Sequence, residues 1–348
     1  VRIAVTGASG VIGRGVVLRL LSAGHDVVGV ARHRPESWPS EATFVQGDIR
    51  DAATVRRAVA GAEVVVHCAW AVNPSSGQPV DREVNIGGTA NVLDAVARSG
   101  TRRIVFASSA HVYGSGRDAA TPLTEADQLQ PVSTHGQDKA RAEEMVAACG
   151  AEWVAIRSSA ILGRGVDNWV RKALSSAFFP DTGDSARRTL QVVHSDDAHR
   201  VFVRAAIDPG IDRGPVNLAA PGELTFGEIA AELGRPLVRV GRLLRGLSSA
   251  AELDLLLSAP SMNTALLGDK WNFTPAWTGA ECLQDVALAV RGRVSVGSWS
   301  TSLPWRLIPV QDIPAVDIPA ADGVSPVLAG PDGGNGEFDT PIDPRFPT

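Results

Sequence analysis

The 348-residue chain has a single tyrosine, Tyr113, and three cysteines. Cys68, Cys149 and Cys282 stand far apart, and no C-x-x-C pair occurs. That spacing argues against a disulfide framework or a zinc site and fits a reducing compartment. No apolar run approaches the roughly 20 residues a bilayer-spanning helix needs, so no membrane association is expected. A strong charge of either sign is also missing. Thirty-three basic residues meet 38 acidic ones, for a net charge of −5. This balance offers no basic face for nucleic acid or anionic lipid. The chain opens on a core-like strand and not on a signal peptide, and a cytoplasmic location is expected. What remains is a globular composition, 44% hydrophobic, long enough for one large α/β domain and a small companion.

The chain is organised around its first fifteen residues. Arg2-Ile3-Ala4-Val5 is a short apolar run of buried-strand character. Thr6-Gly7-Ala8-Ser9-Gly10-Val11-Ile12-Gly13 follows at once, and Val16, Val17, Leu18, Leu20 and Leu21 then recur at helical spacing up to Gly24. Strand, glycine-rich turn and helix in that order make a cradle for a dinucleotide. Glycine lets a pyrophosphate approach the backbone, and the helix start offers free N–H groups and a positive dipole end. The spacing Gly7-x-x-Gly10-x-x-Gly13 differs from the G-x-G-x-x-G of the commonest dinucleotide fingerprint. It resembles the short-chain dehydrogenase/reductase family. Later motifs narrow the resemblance to the extended branch, the NAD-dependent epimerases and dehydratases.

Asp26 to Ala31 reads as a second parallel strand, followed by Arg32-His33-Arg34 with no carboxylate until Glu36. An acidic residue there would favour NAD, whereas a guanidinium suits a 2′-phosphate, so NADP is the expected cofactor and NAD the alternative. Thr43 to Gln46 is a third strand, and Asp51 is a good cap for a helix to Ala60. Glu63 to Ala69 is a fourth, continuous apolar strand in which His67 reads as a packed residue. It is similar to the family's V-V-H-x-A-A signature, with Trp70 in place of the last small residue. The resemblance implies cofactor contacts at Val11, Ile12, Asp48, Ile49 and Ala69. Trp70 to Pro79 is a polar loop at the carboxyl end of a strand, where open α/β sheets bind ligands. Asn85-Ile86-Gly87-Gly88-Thr89-Ala90-Asn91-Val92-Leu93 resembles the N-x-x-G-T-x-N-x-L helix, which makes Asn85 a support of the site. Arg103 to Gly114 carries Ser108-Ser109-Ala110-His111-Val112-Tyr113-Gly114, similar to S-S-x-x-V-Y-G. That resemblance gives Ser109 the substrate oxygen.

The family's acid/base motif is Tyr-x-x-x-Lys, which one helical turn brings to one face. Here the stretch is His135-Gly136-Gln137-Asp138-Lys139. Lys139 is present and the tyrosine is His135. Tyr113 already belongs to the V-Y-G motif, so no other tyrosine stands in. Two readings stay open. In one, His135 is a working acid/base, since an imidazole pKa of about 6.5 is nearer neutrality than a phenol at about 10. A nearby Lys139 ammonium would disfavour imidazolium, and His111 is close enough in sequence to Ser109 to help. In the other, catalysis is lost while the dinucleotide fold survives.

Glu152 to Gly165 is a sixth strand leading to the substrate region, and it resembles R-x-x-N-x-Y-G-P-G. Arg157, Gly163 and Gly165 agree, whereas Ala160, Leu162 and Arg164 depart. Arg157 and Ser159 join Trp70, Asn85 and His111 as the expected substrate pocket. Leu190 to Ala198 is similar to R-D-F-V-H-V-D-D-V, with Leu190 replacing the arginine. These departures argue against a nucleotide-sugar substrate. Ser195 and Asp196 are read as caps for a helix from Asp197 to Ile207, and His194 to Asp197 is not read as a metal site. A capped helix at Leu224 to Gly234, a helix at Leu243 to Leu257 and a closing segment at Lys270 to Leu283 complete the resemblance, which covers about residues 1 to 292.

The expected fold is α/β: a doubly wound parallel Rossmann sheet with a small C-terminal α/β substrate subdomain. Residues 1–160 form the dinucleotide core, with 190–219 returning to it. Residues 161–189 and 220–292 form the subdomain, and 293–348, punctuated by proline and glycine, form an extended tail. The end at Thr348 suggests a fused downstream domain, and a homodimer is the other expected partner. The functional expectation is an NAD(P)-dependent oxidoreductase acting on a small molecule. Ser109, His135 and Lys139 are its catalytic set, and Gly7, Gly10, Gly13, Arg32 and Asp48 its cofactor grip. No metal is expected. The alternative is a catalytically silent dinucleotide-binding or interaction module.

Overall fold

The computed structural model describes residues 1–71, 79–115, 122–176, 178–181, 188–239, 255–256, 258–290, 293–296 and 299–302. The first half runs β1 (Arg2–Thr6), α1 (Val11–Ser22), β2 (Asp26–Ala31), β3 (Thr43–Gln46), α2 (Ala52–Val59), β4 (Val64–His67), α3 (Pro79–Arg82), α4 (Gly88–Ser99), β5 (Arg103–Ser109) and α5 (Thr134–Ala147). It continues with β6 (Glu152–Ser158), β7 (Ala160–Leu162), α6 (Trp169–Leu174), β8 (Phe179–Asp181), β9 (Thr189–Leu190), β10 (Val192–His194), α7 (Ser195–Ile207), β11 (Gly214–Leu218), β12 (Leu224–Thr225), α8 (Phe226–Glu232) and β13 (Leu237–Arg239).

Seven strands form one sheet in the order β11-β6-β5-β4-β1-β2-β3. Every neighbouring pair is parallel. The apolar runs explain this, because a parallel strand is covered on both faces and needs no polar side. Alternate residues serve the two layers. Ile3, Val5, Val64 and Val66 pack with Val16, Val17 and Leu20 of α1 and Val201 and Phe202 of α7. Ala4, Val65, Ile104 and Phe106 pack with Val55 and Val59 of α2, Val92 and Val96 of α4, and Ala142 and Val146 of α5. The strand order reverses between β1 and β4, and the crevice at that switch point is where such sheets take ligands. A five-residue π-helical turn, Glu83–Gly87, joins α3 to α4.

The second lobe is built from short strand pairs: β7 with β10, β8 with β13, and β9 with β12. Leu162, Phe179, Leu190, Phe226 and Val286 share its core. Leu162 and Leu190 stand where the resembled pattern has tyrosine and arginine. Both are buried at 2% exposure, so neither position offers a polar group to a ligand. The α8 helix starts on a capping box in which Thr225 and Glu228 each satisfy the other's backbone N–H. The α7 cap differs from the expectation. His194, not Ser195 or Asp196, is the N-cap, and its Nδ1 accepts from the Asp196 N–H at 3.1 Å. An imidazole lone pair serves as well as a serine oxygen, so the helix begins two residues early. Residues 293–296 and 299–302, at the start of the expected tail, pair as antiparallel strands. The rest of that tail and most of the expected Leu243–Leu257 helix lie outside the described residues.

Helices α1 and α7 meet at Gly15, where an added Cβ would lie 2.2 Å from the His199 ring. The His199 Nε2–H is held by the Val11 carbonyl at 2.9 Å, so the ring has little room to retreat. Gly15→Ala should therefore cost about 1–3 kcal/mol by overpacking. Urea unfolding reads this as a lower midpoint at unchanged slope. An unshifted midpoint would refute the close packing.

Candidate functional site

The cradle is closed by backbone. Gly7 sits at φ +66°, in the left-handed region, and a Cβ there would fall 2.6 Å from the Ala69 nitrogen. A Cβ on Gly13 would fall 2.3 Å from the Gly7 oxygen. Gly10 N–H donates to that same oxygen at 2.9 Å. Gly10 is also the N-cap of α1 and brings no side chain over the helix start. The first-turn N–H groups, those of Val11, Ile12 and Gly13, face outward with the positive dipole end behind them.

Arg32 is exposed directly after β2, and Gln46 Nε2 donates to its carbonyl at 3.1 Å. Asp48, past β3, is gripped by Arg50. The Arg50 N–H and Nη2 each donate to its carboxylate at 2.9 Å, which holds the carboxyl below its usual range. Ile49 is buried beneath Gly88. No carboxylate directly follows β2.

A chain of hydrogen bonds runs from the cradle into the next loop. Thr89 donates to the Asn85 carbonyl at 2.5 Å, so its oxygen accepts from His67 Nε2 at 2.9 Å. The other ring nitrogen, Nδ1, then accepts from the Thr6 hydroxyl at 2.7 Å. Thr6 in turn accepts the Ala69 N–H at 3.2 Å. His67 is fully buried as a neutral ring, and its pKa is pushed down to about 3 by burial and by the Lys139 charge. Asn85 then pins Ala71 by both backbone groups, accepting at 2.8 Å and donating at 3.1 Å. Residues 72–78 of the expected pocket loop lie outside the described residues.

Ser109, His111, His135, Lys139 and Trp70 come together at the carboxyl ends of β4 and β5. Lys139 Nζ donates to the Ala107 carbonyl at 2.5 Å and lies 3.5 Å from the centroid of the Trp70 ring. Burial draws its pKa down to about 7. Ser109 Oγ and His111 Nδ1 are 3.1 Å apart. The His135 ring stands edge-on to two others, 5.5 Å from His111 and 6.4 Å from Trp70 between centroids. Burial, His111 and Lys139 together hold its pKa well below the usual imidazole value.

Arg157, expected in the substrate pocket, is buried and engaged within the fold. Its guanidinium pairs with Glu143 and donates to the Tyr113 hydroxyl at 2.7 Å. Tyr113 donates to Asn217 Oδ1 at 2.7 Å, so the only phenol in the chain is fixed on both sides. A buried guanidinium needs a carboxylate, and Glu143 supplies one. Glu143 lies outside the motifs read from the sequence. Glu143 follows Lys139 by one turn as Lys139 follows His135, and that stripe on one helix face was the available signal. Ser159 is buried, and its Oγ has no hydrogen-bond partner among the described residues. The described residues contain no cluster able to hold a metal ion.

The sequence pattern of the NAD dependent epimerase/dehydratase family matches residues 3–213. An uncharacterized protein of Mycobacterium tuberculosis is 56% identical over all 348 residues, and the chain spans 37% of that protein's length. An L-arabinose 1-dehydrogenase (NAD(P)(+)) of Haloferax volcanii is 39% identical over 133 residues, 38% of this chain and 50% of that one. The UDP-glucose 4-epimerase of Thermotoga maritima, solved with UDP-glucose, superimposes with a TM-score of 0.69 at 20% identity, covering 84% of this chain and 99% of that one. The Thermus thermophilus UDP-glucose 4-epimerase, solved with NAD, gives 0.68 at 22% identity, with the same coverage. These likenesses establish the fold.

The buried His67 makes stability depend on pH. Unfolded, the ring binds a proton below about 6.5, whereas folded it does not until about 3. Folding stability should fall as pH drops through that window, by up to about 1.4 kcal/mol per pH unit from this ring. Urea titrations of the wild type and His67→Gln test it: the variant starts less stable and has a shallower acid slope. Equal slopes would contradict the buried neutral ring.

Proposed function

The chain belongs to the NAD dependent epimerase/dehydratase family, and on that premise we propose that it is a nicotinamide-dinucleotide-dependent oxidoreductase of epimerase, dehydratase or reductase type. Its substrate is a small molecule. The observation that carries this reading is the turn from Gly7 to Gly13, where a Cβ on Gly7 or Gly13 would strike backbone and the N-cap of α1 is a glycine. The N–H groups of Val11, Ile12 and Gly13 would hold a pyrophosphate. Asp48, Ile49 and Ala69 would flank the adenosine and nicotinamide halves. Arg32, exposed after β2, suits a 2′-phosphate and favours NADP. Solved relatives that carry NAD support the alternative.

When bound, the dinucleotide supplies the hydride acceptor or donor. Ser109 would meet the substrate oxygen. Lys139 keeps donors beyond the one given to Ala107, enough for a ribose hydroxyl. Proton transfer falls to histidine, because Tyr113 is held by Arg157 and Asn217 and has no freedom to act. His135 takes the place of the tyrosine on α5, one turn before Lys139.

A second reading, a silent dinucleotide-binding module, draws support from Trp70, whose ring covers the Lys139 ammonium.

Calorimetry with NADPH and NADH tests the cofactor. Arg32→Glu should lower the NADPH-to-NADH affinity ratio by about tenfold or more, equivalent to ~1.4 kcal/mol. An unchanged ratio would defeat the NADP assignment. Loss of NADPH absorbance over a carbonyl panel tests the chemistry. Tight nucleotide binding without any turnover would favour the silent module.

A further inference from the structure

We propose that His111 is the proton store of this site: it takes the Ser109 hydroxyl proton while Ser109 accepts one from a substrate hydroxyl. This inference rests on the oxidoreductase reading and names the group that replaces the missing phenol.

The tautomer follows from the partners. His111 Nε2 lies 2.9 Å from the Leu255 carbonyl, which can only accept. The ring hydrogen is therefore on Nε2, and Nδ1 carries a lone pair. Nδ1 lies 3.1 Å from Ser109 Oγ, so the serine hydroxyl donates to it. One Ser109 lone pair takes the His111 N–H at 3.3 Å, and the other remains for a substrate hydroxyl. Both residues are about 9% exposed, and His111 lies on the single 3₁₀ turn Ala110–Tyr113 that follows Ser109. The Leu255 carbonyl is itself fixed, accepting from Ser258 N–H at 3.1 Å and Ser258 Oγ at 2.7 Å.

Two histidine rings at this separation do not both take a charge. The groups facing the pair are Ser109 from β5, Trp70 after β4, Lys139 and His135 from α5, and the Leu255 carbonyl. Lys139 stands one turn from His135, and no hydrogen-bond acceptor holds the His135 ring among the described residues. His111 has such an acceptor. Burial lowers both rings' pKa values, but the Leu255 carbonyl works in the opposite direction for His111 alone. The proton therefore settles on His111. The balance is simple. The substrate O–H bond breaks as a new Ser109 O–H forms, and the former Ser109 O–H breaks as His111 Nδ1–H forms. Carbonyl reduction runs the same steps backwards.

Nitrogen NMR on the whole chain tests the arrangement without turnover. His111 should show the Nε2–H tautomer, an Nδ1 resonance that moves in Ser109→Ala, and a titration midpoint below the ordinary imidazole value. In alcohol oxidation, kcat/KM should fall on the acid side with that same midpoint. His111→Gln keeps a donor for Leu255 and an acceptor for Ser109 but stores no proton. It should remove the acid limb and lower kcat/KM by about 10²–10⁴-fold, whereas His135→Gln should keep the limb. An Nδ1–H tautomer, or a limb that survives His111→Gln and vanishes in His135→Gln, would overturn the proposal. Failure of the nucleotide titration would sink the oxidoreductase reading and leave the tautomer result standing.

Discussion

The approach of the Gly13 backbone to the Gly7 carbonyl governs the rest of the molecule. It brings the α1 start against the carboxyl ends of β1 and β4, where the strand order reverses. No residue with a Cβ fits at Gly13, because the obstacle is backbone and cannot rotate away. The same turn lies against Ala69, whose N–H reaches back to Thr6. From Thr6 the hydrogen bonds pass through His67 and Thr89 to Asn85 and so to Ala71. A glycine turn at one end of the chain thus fixes the first residues of a loop about sixty residues later. The π-helical turn that holds Asn85 belongs to this device. An extra residue per turn re-aims a side chain at a functional place.

Much of this architecture was legible in the sequence. The bounds of β2 and β3 follow from apolar, β-branched runs ended by polar residues. Asp51 caps α2 as read, accepting the Ala53 N–H at 2.9 Å. What was hidden shares a cause: the partner is far away in the chain. Arg157 looks like a pocket cation until Glu143 is seen beside it. The α7 cap looks like Ser195 or Asp196 until the His194 ring is seen capping the helix and stacked on Trp277 at 3.9 Å. The short strands of the second lobe were hidden for a different reason, since two or three residues are too few to show any period.

Buried charges hold Arg157 inside the fold. Glu143 has two oxygens inside the fold, and each must be satisfied. Arg157 takes both, and Ser108 adds a bond at 2.7 Å. Removing one member would leave the other charge stranded, at a cost of about 3–5 kcal/mol. A residue bound this firmly is a pillar between β6 and α5, and its release to a ligand would cost the same amount. Tyr113 is tied to the same pillar, which is why the chain's one phenol cannot drift into the missing role.

The exchange of a phenol for an imidazole changes what a neighbouring cation does. A lysine ammonium lowers the pKa of either group by favouring the less positive form. For a phenol starting near 10 that brings the group toward working pH, whereas for an imidazole starting near 6.5 it takes the group away from it. A histidine at position 135 with a fully charged Lys139 would be a poor proton acceptor. Two features act against that outcome. Burial draws Lys139 down to about 7, so its charge is partial at neutral pH, and the Trp70 face and Ala107 carbonyl absorb what remains. The large Trp70, the single tyrosine and the paired histidines are then parts of one adjustment: once the phenol is gone, the lysine beside it has to be shielded, and the proton needs a ring farther along with a carbonyl behind it.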